Sequence, residues 1–265
     1  YMTFAGLLMI VGMLALGRMI FRRPQEMWLW PSVAIIAVCL LLTLTRQAWF
    51  GFLTGLTFLL FAWKKKLFLI FSVSIMIVVL VFSHQVTSGI QNLVSGKPDP
   101  NNSFMWNLKY RFQDMFSGND STFLMRKALW LGGWEIFKDH PLTGCGFSCV
   151  DLINSQYPDP TGLIARLRGM HNNFVQLAVD TGVLGLSAWT GIWFCFFALL
   201  YKRITALKGD SCERGVVFGS MAAAVAFLAG GLFESNLYDS EVAMVLYFVM
   251  ALPFAGSKND KMDSV

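Results

Sequence analysis

Long apolar runs, each close to the length needed to cross a bilayer, dominate this sequence of 265 residues. A helix needs about 17–25 apolar residues to cross a hydrocarbon core of roughly 30 Å. Hydrophobic residues make up 55% of the chain and the mean hydropathy is +0.56, which lies outside the range of soluble domains. The pattern predicts an all-α, polytopic membrane protein with about seven transmembrane helices, at Thr3–Gly17, Leu29–Leu44, Gln47–Trp63, Leu67–Ser83, Phe174–Tyr201, Gly215–Phe233 and Val242–Gly256.

The Lys and Arg residues predict the orientation, because short cytoplasmic loops carry an excess of both. If the spans alternate, one side of the membrane receives most of them, at 18–23, 64–66, 202–214 and 258–261. The net charge of +5 follows from this topology and indicates no nucleic-acid partner. We therefore expect four helices in 1–83, a large extracytoplasmic loop over 84–173, three helices in 174–256 and a cytoplasmic tail over 257–265.

The first predicted span runs inward from the outside, and the chain begins at Tyr1 without an initiator Met. We therefore expect this sequence to be the C-terminal part of a larger protein.

The predicted outer loop contains an amphipathic segment. Residues Ser121–His140 have apolar side chains at helical spacing and precede Pro141, which predicts a helix that ends there. Trp130 and Trp134 lie four residues apart, a spacing typical of a helix at the membrane surface with its indoles at headgroup level.

Two cysteines follow this helix, in the stretch CGFSC. Cys145 and Cys149 face an oxidising compartment in the predicted topology, so a disulfide is open to them if so short a loop meets its geometry. The sequence nearby has no second Cys or His pair, and we therefore expect no metal site.

Five arginines lie on the predicted outer side of the membrane, the side at which His171 enters it. A guanidinium is always protonated, and its planar fork matches phosphate oxygens, so a lipid phosphate or diphosphate is the expected ligand. Arg46 lies in a short turn between two apolar runs, where an unpaired charge is costly. The alternative interpretation is contact with ordinary lipid headgroups. The residues concerned are Arg46, Arg111, Arg126, Arg166 and Arg168.

His171 lies beside these arginines, at the start of a predicted span. An imidazole can accept and donate a proton under physiological conditions, which makes this residue a candidate general base. Asn172 or Asn173 would cap the helix that follows, and Gly182 and Gly185 are expected to let another helix approach closely. The alternative is an interfacial histidine without chemistry.

Three motifs occur in a fixed order along the chain. They are TRQAW at 45–49, RKALW followed by FKDHPLTGCGF over 126–147, and His171-Asn172 followed after nine residues by Gly182-Val183-Leu184-Gly185. Together they resemble the patterns of the O-antigen ligase and O-antigen polymerase superfamily of bacterial envelope glycosyltransferases, over roughly Leu40–Leu200. The family's R-x-x-x-L spacing fits Lys127 rather than Arg126, which leaves both open for the phosphate-binding position.

The resemblance implies a GT-C-like fold in the bacterial inner membrane, with an extracytoplasmic active face and no metal or other cofactor. The donor would be a glycan on undecaprenyl diphosphate. The acceptor would be a hydroxyl of lipid A core, which we favour, or of another lipid-linked glycan. The implied catalytic residues are His171, Arg126 and Arg46, and the implied substrate-binding residues are Arg111, Arg166, Arg168, Asn172 and Lys127.

Several functions fit these motifs. An O-antigen ligase, an O-antigen polymerase and a protein O-oligosaccharyltransferase of the same superfamily differ in acceptor, which the sequence does not identify. A transporter or flippase would place charged groups near the membrane midplane. The main charged residue within a predicted span is Asp180, which we expect to pair with an arginine. A non-enzymatic membrane scaffold is a third alternative.

Overall fold

The computed structural model describes residues 1–21, 26–73, 121–167, 169–207 and 212–255, and all regular secondary structure in these ranges is helical. Residues 65–73 are helical, and 3₁₀ turns cover Asn154–Gln156 and Asn236–Tyr238. The α-helices are α1 (Met2–Ile20), α2 (Leu29–Leu42), α3 (Arg46–Trp63), α4 (Ser121–Asp139), α5 (Val150–Ile153), α6 (Leu163–Leu167), α7 (Asn173–Ala206), α8 (Cys212–Gly230) and α9 (Ser240–Ala255).

The chain forms two compact units. One unit combines Tyr1–Leu59 with Met125–Val265, and it contains all the site residues described below. The other unit is Leu60–Leu124, in which the rings of Phe61 and Phe68 meet edge to face with centroids 5.2 Å apart.

Helix α8 is the centre of the first unit, because small residues let its neighbours approach its backbone. A Cβ atom on Gly17 of α1 would lie 2.5 Å from the Cα of Gly219 and 2.6 Å from the carbonyl oxygen of Gly215. Close contact through small residues is characteristic of helices packed within a membrane. The contact joins the C-terminal end of α1 to the N-terminal end of α8, so these two helices are antiparallel, as alternating spans require.

Helices α1, α7 and α8 are each long and apolar enough to cross a membrane, while α2 and α9 are apolar but shorter. Helix α7 has two distinct faces, since Trp193 is 5% exposed and the adjacent Phe194 is 76% exposed. Large apolar side chains on an outer surface indicate contact with lipid. The chain is therefore an all-helical membrane protein.

The count of about seven spans remains a prediction, as does the division into residues 1–83, 84–173, 174–256 and 257–265. Helices occur at the predicted positions wherever the structure describes them. Residues 74–83 of the predicted span Leu67–Ser83, residues 84–120 of the predicted loop and the predicted tail lie outside the described residues.

The described part of the predicted outer loop has a hydrophobic core of its own. Leu129 and Ile136 of α4 are fully buried, and they cluster with Val150, Ile164 and Val179 from α5, α6 and the first turns of α7. The sequence therefore folds this segment against α7 instead of leaving it as a surface linker.

Helix α4 confirms the predicted helix Ser121–His140 to within one residue, and Pro141 follows it. Trp130 and Trp134 do not share one environment, although we expected both indoles at the membrane surface. Trp134 is 55% exposed, whereas the Trp130 indole donates its Nε1–H to the carbonyl oxygen of Met170 at 2.9 Å. Trp130 packs against the buried cluster that contains Leu129. Its indole therefore joins α4 to the segment before α7.

Candidate functional site

Helix α7 is interrupted at Gly182, where φ is 64° and ψ is −166°. A side chain there would overlap the backbone carbonyl group of Leu142. The backbone N–H groups of Val183 and Leu184 donate to the carbonyl oxygens of Pro141 at 2.8 Å and Leu142 at 3.2 Å. The loop after α4 therefore supplies the hydrogen bonds that the interrupted helix lacks, which is the condition for irregular backbone within a membrane.

The same loop also binds the first half of α7. The N–H groups of Cys145 and Gly146 each donate at 3.0 Å to the carbonyl oxygens of Val179 and Asp180. Gly182 was expected to admit a neighbouring helix, and the structure places this loop there instead. The H-P-L-T-G-C-G segment and the glycine that follows His171-Asn172 thus form one structural unit.

Asn172 caps α7, as predicted. Its side-chain oxygen accepts hydrogen bonds from the N–H groups of Phe174 at 2.8 Å and Val175 at 3.1 Å, and its amide donates to the carbonyl oxygen of Leu232 at 2.9 Å. Asn173 is fully buried and bonds the side chain of Asn236 at 2.7 Å. The start of α7 is therefore fixed to the segment that follows α8.

His171 immediately precedes this cap, with a positive φ of 46°. Its Nδ1 lies 3.0 Å from Oε1 of Glu234, and the two side chains are 24% and 14% exposed. A carboxylate on one ring nitrogen orients an imidazole and leaves the other nitrogen to exchange protons with a ligand. The pair is thus suited to acid–base chemistry.

Glu234 is held from two further directions. Its Oε2 accepts a hydrogen bond from Nε2 of Gln47, at the start of α3, at 3.4 Å. Its Oε1 also accepts one from the backbone N–H of Ser235 at 3.2 Å. These contacts fix the carboxylate that binds His171.

Arg126 of α4 reaches the same segment. Its Nε donates to the carbonyl oxygen of Phe233 at 3.0 Å, and its guanidinium lies 6.0 Å from the centroid of the Phe233 ring. The same ring meets Phe50 of α3 edge to face, with centroids 5.6 Å apart. Helices α3 and α4 and the start of α7 therefore meet at Phe233–Glu234, which we call the Phe233–Glu234 turn.

The predicted site residues divide according to this turn. Arg46 is the first residue of α3 and precedes Gln47, and Arg126 and His171 contact the turn directly. Lys127, the other candidate for the phosphate-binding position, is exposed beside Arg126.

The structure describes one of the three other predicted residues. Arg166 is exposed near the end of α6. Arg111 and Arg168 lie outside the described residues.

Sequence reasoning missed Glu234 and Gln47. Glu234 belongs to the short polar segment ESNLYDSE, and Gln47 directly follows the arginine of TRQAW. Their position at the same predicted membrane face as His171 was the available signal. No sequence signal indicated that Glu234 pairs with His171, because the two residues are 63 positions apart.

Asp180 lies in α7, between its start and the interruption at Gly182. It is 1% exposed. It accepts hydrogen bonds from the Tyr238 hydroxyl at 2.8 Å and from the Gln176 amide at 3.1 and 3.2 Å. These donors are neutral, whereas an arginine was expected. Burial and the hydrogen bond to Asp180 both raise the pKa of Tyr238, which keeps its hydroxyl protonated as a donor.

Cys145 and Cys149 form a disulfide in the structure, with their Cα atoms 5.7 Å apart. Their sulfur atoms and a carboxylate oxygen of Asp180 lie within 4.8 Å of one another. The cluster joins the loop to α7.

A cavity of about 270 Å³ adjoins the Phe233–Glu234 turn. It lies among the first turns of α1 and α3 and the segment 230–239. Its polar lining comes from Thr3, Gln47, Glu234, Ser235, Asn236 and Asp239.

No curated protein matches this chain. A family model described as O-antigen ligase matches residues 31–190, which is more than half of the chain. This family is one of glycosyltransferase-like membrane enzymes that act on lipid-linked glycans. The matched region contains α2, α3, α4 and the interrupted start of α7, and the chain therefore belongs to the O-antigen ligase family.

Proposed function

We propose that this chain catalyses transfer of a glycan from undecaprenyl diphosphate to an acceptor hydroxyl, with lipid A core as the favoured acceptor. The observation that carries the proposal is the meeting of His171, Arg126 and the start of α3 at the Phe233–Glu234 turn. Family membership supports a glycosyltransferase acting on lipid-linked glycans. We place the enzyme in the bacterial inner membrane, with this turn at the extracytoplasmic face.

His171 acts on the acceptor. With Nδ1 bound to Glu234, its Nε2 accepts the proton of the acceptor hydroxyl as the oxygen attacks the anomeric carbon of the donor. The imidazolium that forms is stabilised by the carboxylate, as in other histidine–carboxylate pairs. The new bond joins the acceptor oxygen to the anomeric carbon, and the bond from that carbon to the diphosphate oxygen breaks.

The arginines act on the leaving group. A departing diphosphate gains negative charge, and preorganised donors at such a position commonly contribute most to catalysis. The bond from Arg126 Nε to the Phe233 carbonyl sets the plane of its guanidinium, and Arg46 begins the helix that carries Gln47. This scheme draws its positive charge from arginine and assigns no step to a metal.

The test is complementation of a strain lacking the gene, using the full-length parent protein and reading envelope glycans on a gel. We expect wild type to restore long glycans on lipid A core. His171→Ala should abolish transfer at unchanged abundance in the membrane. His140→Ala is the matched control, because His140 is an exposed histidine of the same segment.

The gel distinguishes the proposed acceptor from its alternatives. Accumulation of lipid-linked polymer in the His171→Ala strain supports a ligase. Core bearing a single repeat would instead indicate a polymerase, and glycans restored on protein would indicate an oligosaccharyltransferase. Full transfer by His171→Ala would remove the proposed site and bring the transporter or flippase interpretation forward.

A further inference from the structure

The cavity beside the Phe233–Glu234 turn is lined by both polar and apolar residues. Asp239 accepts a hydrogen bond from the Thr3 hydroxyl at 2.6 Å, and Gln47 donates to Glu234 across the lining. Met9 and Ala48 supply apolar surface. Alternating hydroxyls and C–H groups on a sugar ring match such a combination, because carboxylates and amides bind hydroxyls and apolar groups cover the ring carbons.

The charge of the lining excludes an anionic group. Two carboxylates, Glu234 and Asp239, border the cavity, and none of its lining residues in the described part of the chain is Lys, Arg or His. A phosphate would meet like charge there, whereas a hydroxyl-rich ring would not. The cavity therefore does not suit the diphosphate of the donor.

Its size indicates a single ring. The volume of about 270 Å³ lies just below the range of roughly 300–1,000 Å³ that accommodates drug-sized ligands. One monosaccharide unit fits this scale, and a glycan chain does not.

The position of the cavity identifies the substrate to which the ring belongs. Glu234 contacts His171 through Oε1 and Gln47 of the cavity lining through Oε2. A ring held against Gln47 and Glu234 is therefore next to the imidazole that deprotonates the acceptor.

From these observations, and resting on the proposed function, we infer that the cavity binds the sugar ring of the acceptor that carries the attacking hydroxyl. Asp239 and Gln47 bind hydroxyls of this ring. Glu234 orients His171 towards the hydroxyl that reacts.

Asp239→Asn tests the polar lining of the cavity with little change in the shape of the side chain. A hydrogen bond to a charged group typically contributes enough that its loss weakens binding by about ten- to a hundredfold. We expect the KM for the acceptor glycolipid to rise about tenfold, with the KM for the lipid-linked donor unchanged. Glu135→Gln is the control, since Glu135 is a half-exposed carboxylate paired with Lys138.

Gly230→Ala tests the space. The added methyl would lie 3.6 Å from Met9 and 3.3 Å from the Gln47 carbonyl oxygen, which must shift by a few tenths of an ångström, so the cavity becomes smaller; abundance in the membrane is measured for this variant alongside the KM. We expect Gly230→Ala to raise the acceptor KM several-fold relative to wild type. Gly191→Ala is the matched control, because nothing lies within 4 Å of its added Cβ.

Direct binding separates this inference from the proposed function. Radiolabelled lipid A core glycolipid is incubated with the purified full-length protein, and retention is measured for wild type, Asp239→Asn, Gly230→Ala and His171→Ala. We expect Asp239→Asn to lose retention and His171→Ala to keep it while losing transfer. Retention and acceptor KM unaltered by both cavity variants, or a raised donor KM, would overturn the inference, whereas retention without transfer by wild type would overturn only the proposed function.

Discussion

Glu234→Gln should slow glycan transfer about a hundredfold, because it removes the charge that stabilises protonated His171. Nδ1 and Oε1 are 3.0 Å apart, which places the charge centres about 4 Å apart. Two unit charges at that separation interact by about 1 kcal/mol in water and about 4 kcal/mol at an effective dielectric constant of about 20. The side chains are 24% and 14% exposed, so an intermediate value of about 2.7 kcal/mol applies, which corresponds to a hundredfold change in rate.

The assay is the initial rate of transfer by the purified full-length protein in detergent, at saturating donor and acceptor. Glu135→Gln is the control, since it neutralises a half-exposed carboxylate of α4 that pairs with Lys138. A rate within threefold of wild type would refute this reasoning.

Three further predictions concern the surroundings of the site. Arg46→Lys should raise the donor KM at unchanged abundance, because a point charge does not replace the guanidinium fork; an unaltered donor KM would contradict this. Tyr238→Phe should lower the thermal unfolding temperature in detergent, because it removes one of the hydrogen-bond donors to the buried Asp180 carboxylate, at a cost of about 1–3 kcal/mol; an equal or higher temperature would contradict it. Gly182→Ala should prevent stable accumulation in membranes, measured by immunoblot, whereas Gly191→Ala should accumulate normally; equal accumulation would show that the interruption of α7 tolerates a side chain.

Much of the helical framework was predictable from the sequence, because apolar length and proline position act locally. Helix α4 ends just before Pro141, as expected, and Asn172 caps α7, as expected. His171 was identified from its place at a helix start beside arginines. Each of these features depends on residues close together in the chain.

Two features of the site were not predictable, because their partners are distant in sequence. The apolar run Phe174–Tyr201 reads as continuous, so hydropathy alone does not reveal the interruption at Gly182. Glu234 resembles an ordinary loop residue until folding brings it to His171, 63 positions earlier. In both cases an unfavourable local feature, a broken helix or a half-buried carboxylate, is balanced by a partner that only the tertiary structure supplies.

The docking of the 141–146 loop into the interrupted α7 also limits how parts of this protein can be exchanged with those of relatives. In a chimera that takes the segment after α4 from one protein and the start of α7 from another, the backbone hydrogen bonds from Val183 and Leu184 to Pro141 and Leu142 would depend on the fit between two unmatched segments. The two segments therefore have to be exchanged together. Crossover points for recombining acceptor preferences belong before α4 or beyond Leu184, and a library cut between them should yield few folded members.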